Sequence, residues 1–249
     1  MNGTQSIERA VELLKQVARF GSRGASLSAL SKRIGVPHPT VHRMLTTLSA
    51  VGFVNFNKAE KLYRIGPLAF ELGLVAVTPF GELGRFEPIV AEVAKQTGDT
   101  AYLFLRNGID VICLIRAEGD YIIKANVIEV GRRRPICDSV AGIAMLANMD
   151  PAETAELIAR SALTASEETR LSPAQVEERV AFARTNGISY WTSVVMPDVS
   201  GAAIAAPSDD GQPRLSIAIS AISSRLPEER LNDVKPILKS AQQRVLALL

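Results

Sequence analysis

The sequence predicts an α/β protein in two parts: a winged helix-turn-helix over residues 1–66 and a larger, antiparallel-rich α/β domain over residues 85–249, joined by a linker over 67–84. Three observations carry this. The first part orders as helix, helix, helix, hairpin. The second interleaves two groups of three strands with helices, the pattern of one α/β domain. Charge divides along the same line: residues 1–66 hold ten Lys and Arg against three acidic residues, a net of +7, whereas the other 183 hold 18 against 23, a net of −5. A small basic unit beside a larger acidic one points to a polyanionic partner for the first unit alone.

Ile7, Ala10, Val11, Leu13, Leu14 and Val17 recur at helical spacing behind Ser6 as N-cap, and Gly21 and Gly24 end that helix. Ser26 opens a second helix from Leu27 to Ile34, and Gly35 closes it. Val36-Pro37 starts a third, whose apolar positions Val41, Met44, Leu45 and Leu48 keep the 3.6 period until Gly52. FVNFN and KLYRI, separated by the polar Lys58-Ala59-Glu60, form a hairpin.

Pro67–Gly73 reads as a short helix within the linker, broken near Pro79 and Gly81. A helix over Phe86–Gln96 precedes strands at Thr100–Leu105, Val111–Ala117 and Tyr121–Val130. Pro135–Asn148 holds a turn and then a helix. Asp150-Pro151 and Ser172-Pro173 each open another, since an Asp or Ser cap followed by Pro at the first helical position is a firm start signal. Strands at Ile188–Val195, Ala202–Ala206 and Leu215–Ala221 follow, then a final amphipathic helix from about Pro227.

With 47% hydrophobic and 22% charged residues the chain is expected to be globular with a substantial core. No apolar stretch approaches the roughly 18 residues of a membrane span. The N-terminal MNGTQSIERAVELL places charges where a secretory signal needs an apolar run, so a cytoplasmic protein is expected. Cys113 and Cys137 make neither a disulfide framework nor a metal-ligand set, which fits a reducing compartment.

On a helical wheel His42, Arg43, Thr46 and Thr47 of the third helix fall opposite its apolar arc, together with Pro39. A base, an imidazole and two hydroxyls on one exposed face supply the donors and acceptors that read base edges and phosphates in a major groove. His38 and Thr40 belong to the first turn. Ser26, Ser28, Lys32 and Arg33 are placed to hold phosphates, and Lys58 and Lys61 to reach flanking backbone from the hairpin tip. The bland alternative is a helical hairpin used for protein contact. His38 and His42 stand at the i, i+4 spacing of metal ligands, but Pro39 occupies the position where a zinc hydrolase helix carries its general-base Glu, and no further ligand lies near, so no metal and no cofactor is expected.

In these residues the chain resembles the isocitrate-lyase-regulator (IclR) family of bacterial transcription factors. The resemblance runs through Ser6-Ile7-Glu8-Arg9-Ala10, Leu30 with Gly35-Val36-Pro37, Thr40-Val41-His42-Arg43-Met44-Leu45, Gly52-Phe53-Val54 and Tyr63-Arg64-Ile65-Gly66. It resumes at Gly131 and Pro135, Ser139-x-x-Gly142-x-Ala144, Gly187-Ile188 and Ile204-Ala205-Ala206-Pro207. It implies a winged helix followed by a GAF-like α/β effector-binding domain, acting as a homodimer or homotetramer on a palindromic operator in double-stranded DNA. The chain departs from the family pattern in Pro39 for Ser, in Ile143 for the Lys of Gly-Lys-Ala, and in Val194-Val195-Met196-Pro197-Asp198 where an acidic pair is usual.

The resemblance also implies a ligand between the sheet and the helix that begins near Ser139. A helix N-terminus favours an anion, so Ser139 and the amides of Val140 and Ala141 are expected to hold a small organic acid, with Cys137, Met145 and Ile204 as apolar walls. Without the acidic pair, the rest of that ligand is expected to be apolar. Ser139 as a plain N-cap is the competing reading. An enzyme remains an alternative, since Cys137-Asp138-Ser139 offers nucleophiles, but the larger domain contains no His to serve as base and no catalytic residue is assigned. A non-sensing architectural DNA-binding protein is the other alternative, although 183 further residues exceed what coating DNA requires.

Overall fold

The computed structural model describes residues 2–75, 82–163, 171–194, 196–207 and 211–249. The chain falls into two compact units, Met1–Val77 and Thr78–Leu249.

In the first unit, α1 (Asn2–Phe20), α2 (Leu27–Ile34) and α3 (His38–Ala50) precede an antiparallel hairpin of β1 (Val54–Asn57) and β2 (Leu62–Ile65), then α4 (Pro67–Val75). Leu13, Val17, Leu30, Val41, Leu45 and Val54 are buried between these elements, so α1, α2 and α3 each turn one apolar stripe inward. Ser6 does not cap α1: the helix begins at Asn2 and runs through the exposed Thr4 and Gln5 ahead of it. Ser26 does cap α2, accepting from the Ala29 amide at 3.2 Å, and Gly35 ends it in the left-handed region. Ala25 and Tyr63 exchange two backbone hydrogen bonds of 2.9 and 2.8 Å, which fasten the hairpin to the strand-like entry of α2. Gly66 is required sterically, because a Cβ there would stand 2.2 Å from the Gly52 carbonyl oxygen. The expected linker helix is α4, within the first unit, while the break near Pro79 and Gly81 lies outside the described residues.

The second unit is one six-stranded antiparallel sheet with helices on both faces. Its strands are β3 (Thr100–Asn107), β4 (Asp110–Glu118), β5 (Arg133–Pro135), β6 (Ser189–Thr192), β7 (Val199–Pro207) and β8 (Pro213–Ile222), in spatial order β5-β4-β3-β8-β7-β6. Strand alternation sorts the side chains between two cores. Ala101, Leu103, Ile217 and Ile219 pack against α5 (Glu87–Thr97) and α9 (Leu231–Leu246). Tyr102, Phe104, Ala203 and Ala218 pack in the other core with α6 (Val140–Ala147), α7 (Pro151–Leu163) and α8 (Pro173–Asn186). Both start signals hold: Asp150 Oδ1 accepts from the Ala152 amide at 2.8 Å, and Ser172 forms a capping box with Gln175. The last helix begins at Leu231 rather than Pro227, after a 3₁₀ turn over Glu228–Arg230.

The expected strand Tyr121–Val130 does not form. That stretch is irregular, and on the side away from β3 the short β5 (Arg133–Pro135) pairs with β4 in its place. Its backbone groups go elsewhere: the Tyr121 amide donates to the Gly98 carbonyl at 3.0 Å, and the Ala125 carbonyl accepts from the Tyr102 and Ser220 hydroxyls. Ile122 and Ile123 consequently stand exposed rather than alternating into the core.

Candidate functional sites

The first site is the outer face of the winged unit. In α3 the arc of Val41, Leu45 and Leu48 is buried, which obliges His42, Arg43, Thr46 and Thr47 to face outward, and all four are exposed. Thr46 and Thr47 donate their hydroxyl hydrogens back to the His42 and Arg43 carbonyls at 2.9 and 3.1 Å, leaving outward lone pairs to accept. His38 and Pro39 are exposed in the first turn and Thr40 is half-buried. Ser28, Lys32 and Arg33 are exposed on α2, with the Arg33 guanidinium 5.7 Å over the Phe20 ring, whereas Ser26 is half-buried in its capping role. Lys58 and Lys61 are exposed at the hairpin turn, which Asn57 organises by accepting from the Ala59 and Glu60 amides. Arg64 is occupied structurally, paired with Glu60 at 2.6 Å and donating to the Ser22 carbonyl at 2.8 Å. The outer face thus carries the exposed Lys32, Arg33, Arg43, Lys58 and Lys61 together with the two imidazoles.

The second site is a cavity in the larger unit, between the sheet and the start of α6. Its floor is Tyr102, Phe104, Ala218 and Ser220. Trp191 and Val199–Gly201 close one side, and Val127, Ile128 and Arg134 the other. Gly142 sets the geometry, since a Cβ there would stand 2.0 Å from the Ile136 carbonyl oxygen, and its absence lets α6 lie against the preceding turn. Gly201 makes room for Val140, whose Cγ1 would meet an added Cβ at 3.2 Å. Ser139 occupies the N-cap position yet makes no capping bond with its side chain, and it lines the cavity instead. Arg134 is the cation of the wall, oriented by a 2.9 Å hydrogen bond to the Val127 carbonyl, and no carboxylate lines the cavity among the described residues. Burial pushes the Tyr102 phenol above its usual range despite its hydrogen bonds to Ser220 and Val127, so it stays protonated and able to donate.

Of the six residues expected around an effector, Ser139 and Val140 line this cavity. Cys137, Ala141 and Met145 do not: Ala141 and Met145 are on the inward face of α6 and Cys137 is in the buried 3₁₀ turn Ile136–Asp138 ahead of it, so all three lie in the helical core. Ile204 faces the opposite core and a different cavity, one strand residue having opposite sides for neighbours. Arg134, Tyr102, Trp191 and Ser220 also line the cavity beside Ser139 and were not among the residues expected there. Alternation within the strands was the signal that could have found Tyr102 and Ser220. Cys137 is 3% exposed and burial raises its thiol pKa, which leaves it a poor nucleophile. Ile143, standing where the family pattern has Lys, is fully buried in the core, so that departure suits its place.

A basic winged helix joined to an α/β unit with an internal cavity defines a ligand-responsive DNA-binding regulator. The profile described as the IclR helix-turn-helix domain matches residues 6–58, and that of the bacterial transcriptional regulator IclR C-terminal domain matches residues 83–246. The chain belongs to the IclR family of bacterial transcriptional regulators. It is 28% identical over 233 residues to the HTH-type transcriptional regulator BhcR of Paracoccus denitrificans, covering 92% of this chain and 82% of that one. It is 26% identical to the transcriptional repressor IclR of Escherichia coli, covering 98% and 89%. The fold matches a putative IclR regulator from Silicibacter sp. with a TM-score of 0.80 at 22% identity over 97% and 95% of the two chains. A Brucella abortus regulator also gives 0.80, at 18% identity over 98% and 92%. The protein is accordingly a DNA-binding transcriptional regulator with an effector-binding C-terminal domain, and no described helix is long and apolar enough to cross a membrane.

Proposed function

We propose that the effector is a small organic acid with an apolar, aromatic-sized body, bound between α6 and the sheet, and that its binding changes affinity for a palindromic operator. The observation that carries this is Ser139: a hydroxyl at a helix N-terminus that caps nothing and faces a cavity with Arg134 on its wall. A carboxylate there would meet a guanidinium, a hydroxyl and the amides of the first turn of α6, while Phe104, Trp191, Val127 and Ile128 suit an apolar remainder. The cavity encloses about 30 Å³, room for about one water. An effector therefore binds by moving a wall, and the irregular segment ahead of β5 is the one not tied into a strand. A ligand that prefers the opened unit shifts the protein toward it, which is the physical content of a response.

The DNA-reading residues are His38, Thr40, His42, Arg43, Thr46 and Thr47 on α3, with Ser26, Ser28, Lys32, Arg33, Lys58 and Lys61 holding phosphates. The domain bounds we assign are 1–66 for DNA binding, 67–84 for the linker and 85–249 for the sensor, and the regulator acts in the cytoplasm as a homodimer or homotetramer. The test is a thermal-shift scan of apolar and aromatic carboxylates: a ligand at 100 times its Kd adds about 2.7 kcal/mol of stability. A hit weakened by Arg134→Gln and by Val140→Pro, which deletes one amide of the first turn, supports the site. A hit indifferent to both places the effector elsewhere.

A further inference from the structure

We propose that the sensor unit carries a second site, separate from the first, for a small anionic metabolite bearing a carboxylate or phosphate, at the opposite end of α6. The first cavity takes Ser139 and Val140 at the start of that helix, whereas the second takes Ala144, Ala147 and Asn148 at its end. Eight residues at about 1.5 Å each put the two ends roughly 12 Å apart. The second cavity is the roomier, about 200 Å³, equivalent to roughly seven waters at ~30 Å³ each.

Its chemistry is one-sided. Ser189 lines it, is 1% exposed, and its Oγ has no hydrogen-bond partner, a condition native interiors rarely leave without a ligand or water. Arg184 and Lys239 stand at its wall, and neither has a carboxylate partner among the described residues. Arg184, an exposed residue, is held in place by neutral acceptors, the Ala147 and Met149 carbonyls at 3.2 and 3.3 Å and Thr154 Oγ1 at 3.4 Å, so its charge is oriented without a carboxylate among the described residues. Two helix ends also bring carbonyls here, yet these are already engaged: Ala144 accepts from Asn148 Nδ2 at 2.8 Å, Ala147 from Arg184, and Asn186 from Lys235. On the strand side the Ala205 carbonyl accepts from Gln242 Nε2. Besides the side-chain amide oxygens of Asn148 and Gln242, what remains is donors: the Lys239 ammonium, a guanidinium edge of Arg184, amide N–H groups and the buried Ser189 hydroxyl, with no carboxylate lining the cavity among the described residues. An anion is the ligand that satisfies them together.

The test is calorimetric titration of the full chain with inorganic phosphate and, separately, with succinate, which distinguishes a phosphate from a carboxylate ligand. Saturable binding of either anion is expected, weakened about tenfold or more by Lys239→Gln, which removes one charge-assisted donor, and unchanged by Arg134→Gln, which removes the charge of the first cavity. Lys239 is exposed, so the variant is expected to fold, and an unaltered melting temperature without anion checks this. No saturable binding of either probe overturns the proposal. So does binding that survives Lys239→Gln, or that disappears with Arg134→Gln.

Discussion

The hydroxyls of Tyr102 and Ser220 lie 3.1 Å apart on neighbouring strands and both reach the Ala125 carbonyl, while Tyr102 also accepts from the Val127 amide at 3.2 Å. Two sheet residues thereby hold the irregular segment whose Val127 and Ile128 wall the effector cavity. Tyr102→Phe keeps the ring and loses this fastening. It is expected to cost about 1–2 kcal/mol, a buried hydrogen bond with a partner left wanting, and to raise hydrogen exchange at the Val127 amide. Unchanged exchange there would show that Ser220 alone suffices.

On the DNA face, Arg43→Ala is expected to cost about 1–3 kcal/mol of operator affinity and to relax sequence preference at one position per half-site, as loss of a bidentate base contact does. Lys61→Ala should weaken operator and random DNA evenly and reduce the salt slope by about one unit. Gel-shift titrations at several salt concentrations separate the two. Equal loss on both DNAs for Arg43→Ala would make it a phosphate contact.

The DNA unit was legible in the sequence because its signals are local. Ser26 as cap, Gly35 as stop and the Val41, Leu45, Leu48 stripe each act within a few residues, and the outward set on α3 follows by elimination. The sensor site was less so. Ser139 and Val140 sit beside the motif that announces them, but Tyr102 and Ser220 meet only through β3–β8 pairing across more than a hundred residues, and Trp191 joins them through the β6–β7 pairing, for which one sequence gives no register. Tyr121–Val130 carries a strand-like composition, yet its backbone is satisfied by side chains and turns, an outcome decided by tertiary partners rather than propensity.

Gly142→Ala should be among the most damaging single-methyl changes in the chain. The added Cβ would meet backbone, the Ile136 carbonyl oxygen at 2.0 Å, where no flexible side chain can yield. The expected cost is about 3 kcal/mol or more, at the upper end for overpacking. Chemical denaturation followed at Trp191, which belongs to the same core, measures it. Gly84→Ala, in the same unit and with nothing within 4 Å of its Cβ, is the sterically neutral comparison.

Burial pushes the Cys113 thiol up to about 12 from its ordinary 9.0. A group whose folded pKa is raised contributes stability that is complete below the unfolded value and is lost as pH rises through the folded one. Cys113 should therefore make the protein less stable between pH 9 and 12 than a Cys113→Ala variant's pH profile would show, once the variant's constant packing loss is subtracted. Native protein at pH 8 should also react with a disulfide reagent at Cys113 only as fast as it unfolds. Rapid labelling without denaturant would contradict the burial.

The helix α4 has no buried residue, and its Phe70, Leu74 and Val75 are 69%, 69% and 77% exposed. Ile7 and Val11 on α1 are exposed as well. Apolar side chains massed on one short helix mark a candidate interaction surface, and the palindromic operator proposed above asks for two winged units on half-sites about one helical turn, roughly 34 Å, or a multiple of it apart. A second copy of this chain meets both requirements, since a two-fold interface pairs the same patch with itself. Phe70→Asp with Leu74→Glu should therefore shift the chain toward monomer in light scattering at micromolar concentration. Operator affinity should fall by about a hundredfold with loss of the second half-site, while the melting transition of the sensor unit stays in place. An unshifted oligomer would assign these side chains another role, and a wild-type monomer with and without DNA would remove the paired arrangement altogether.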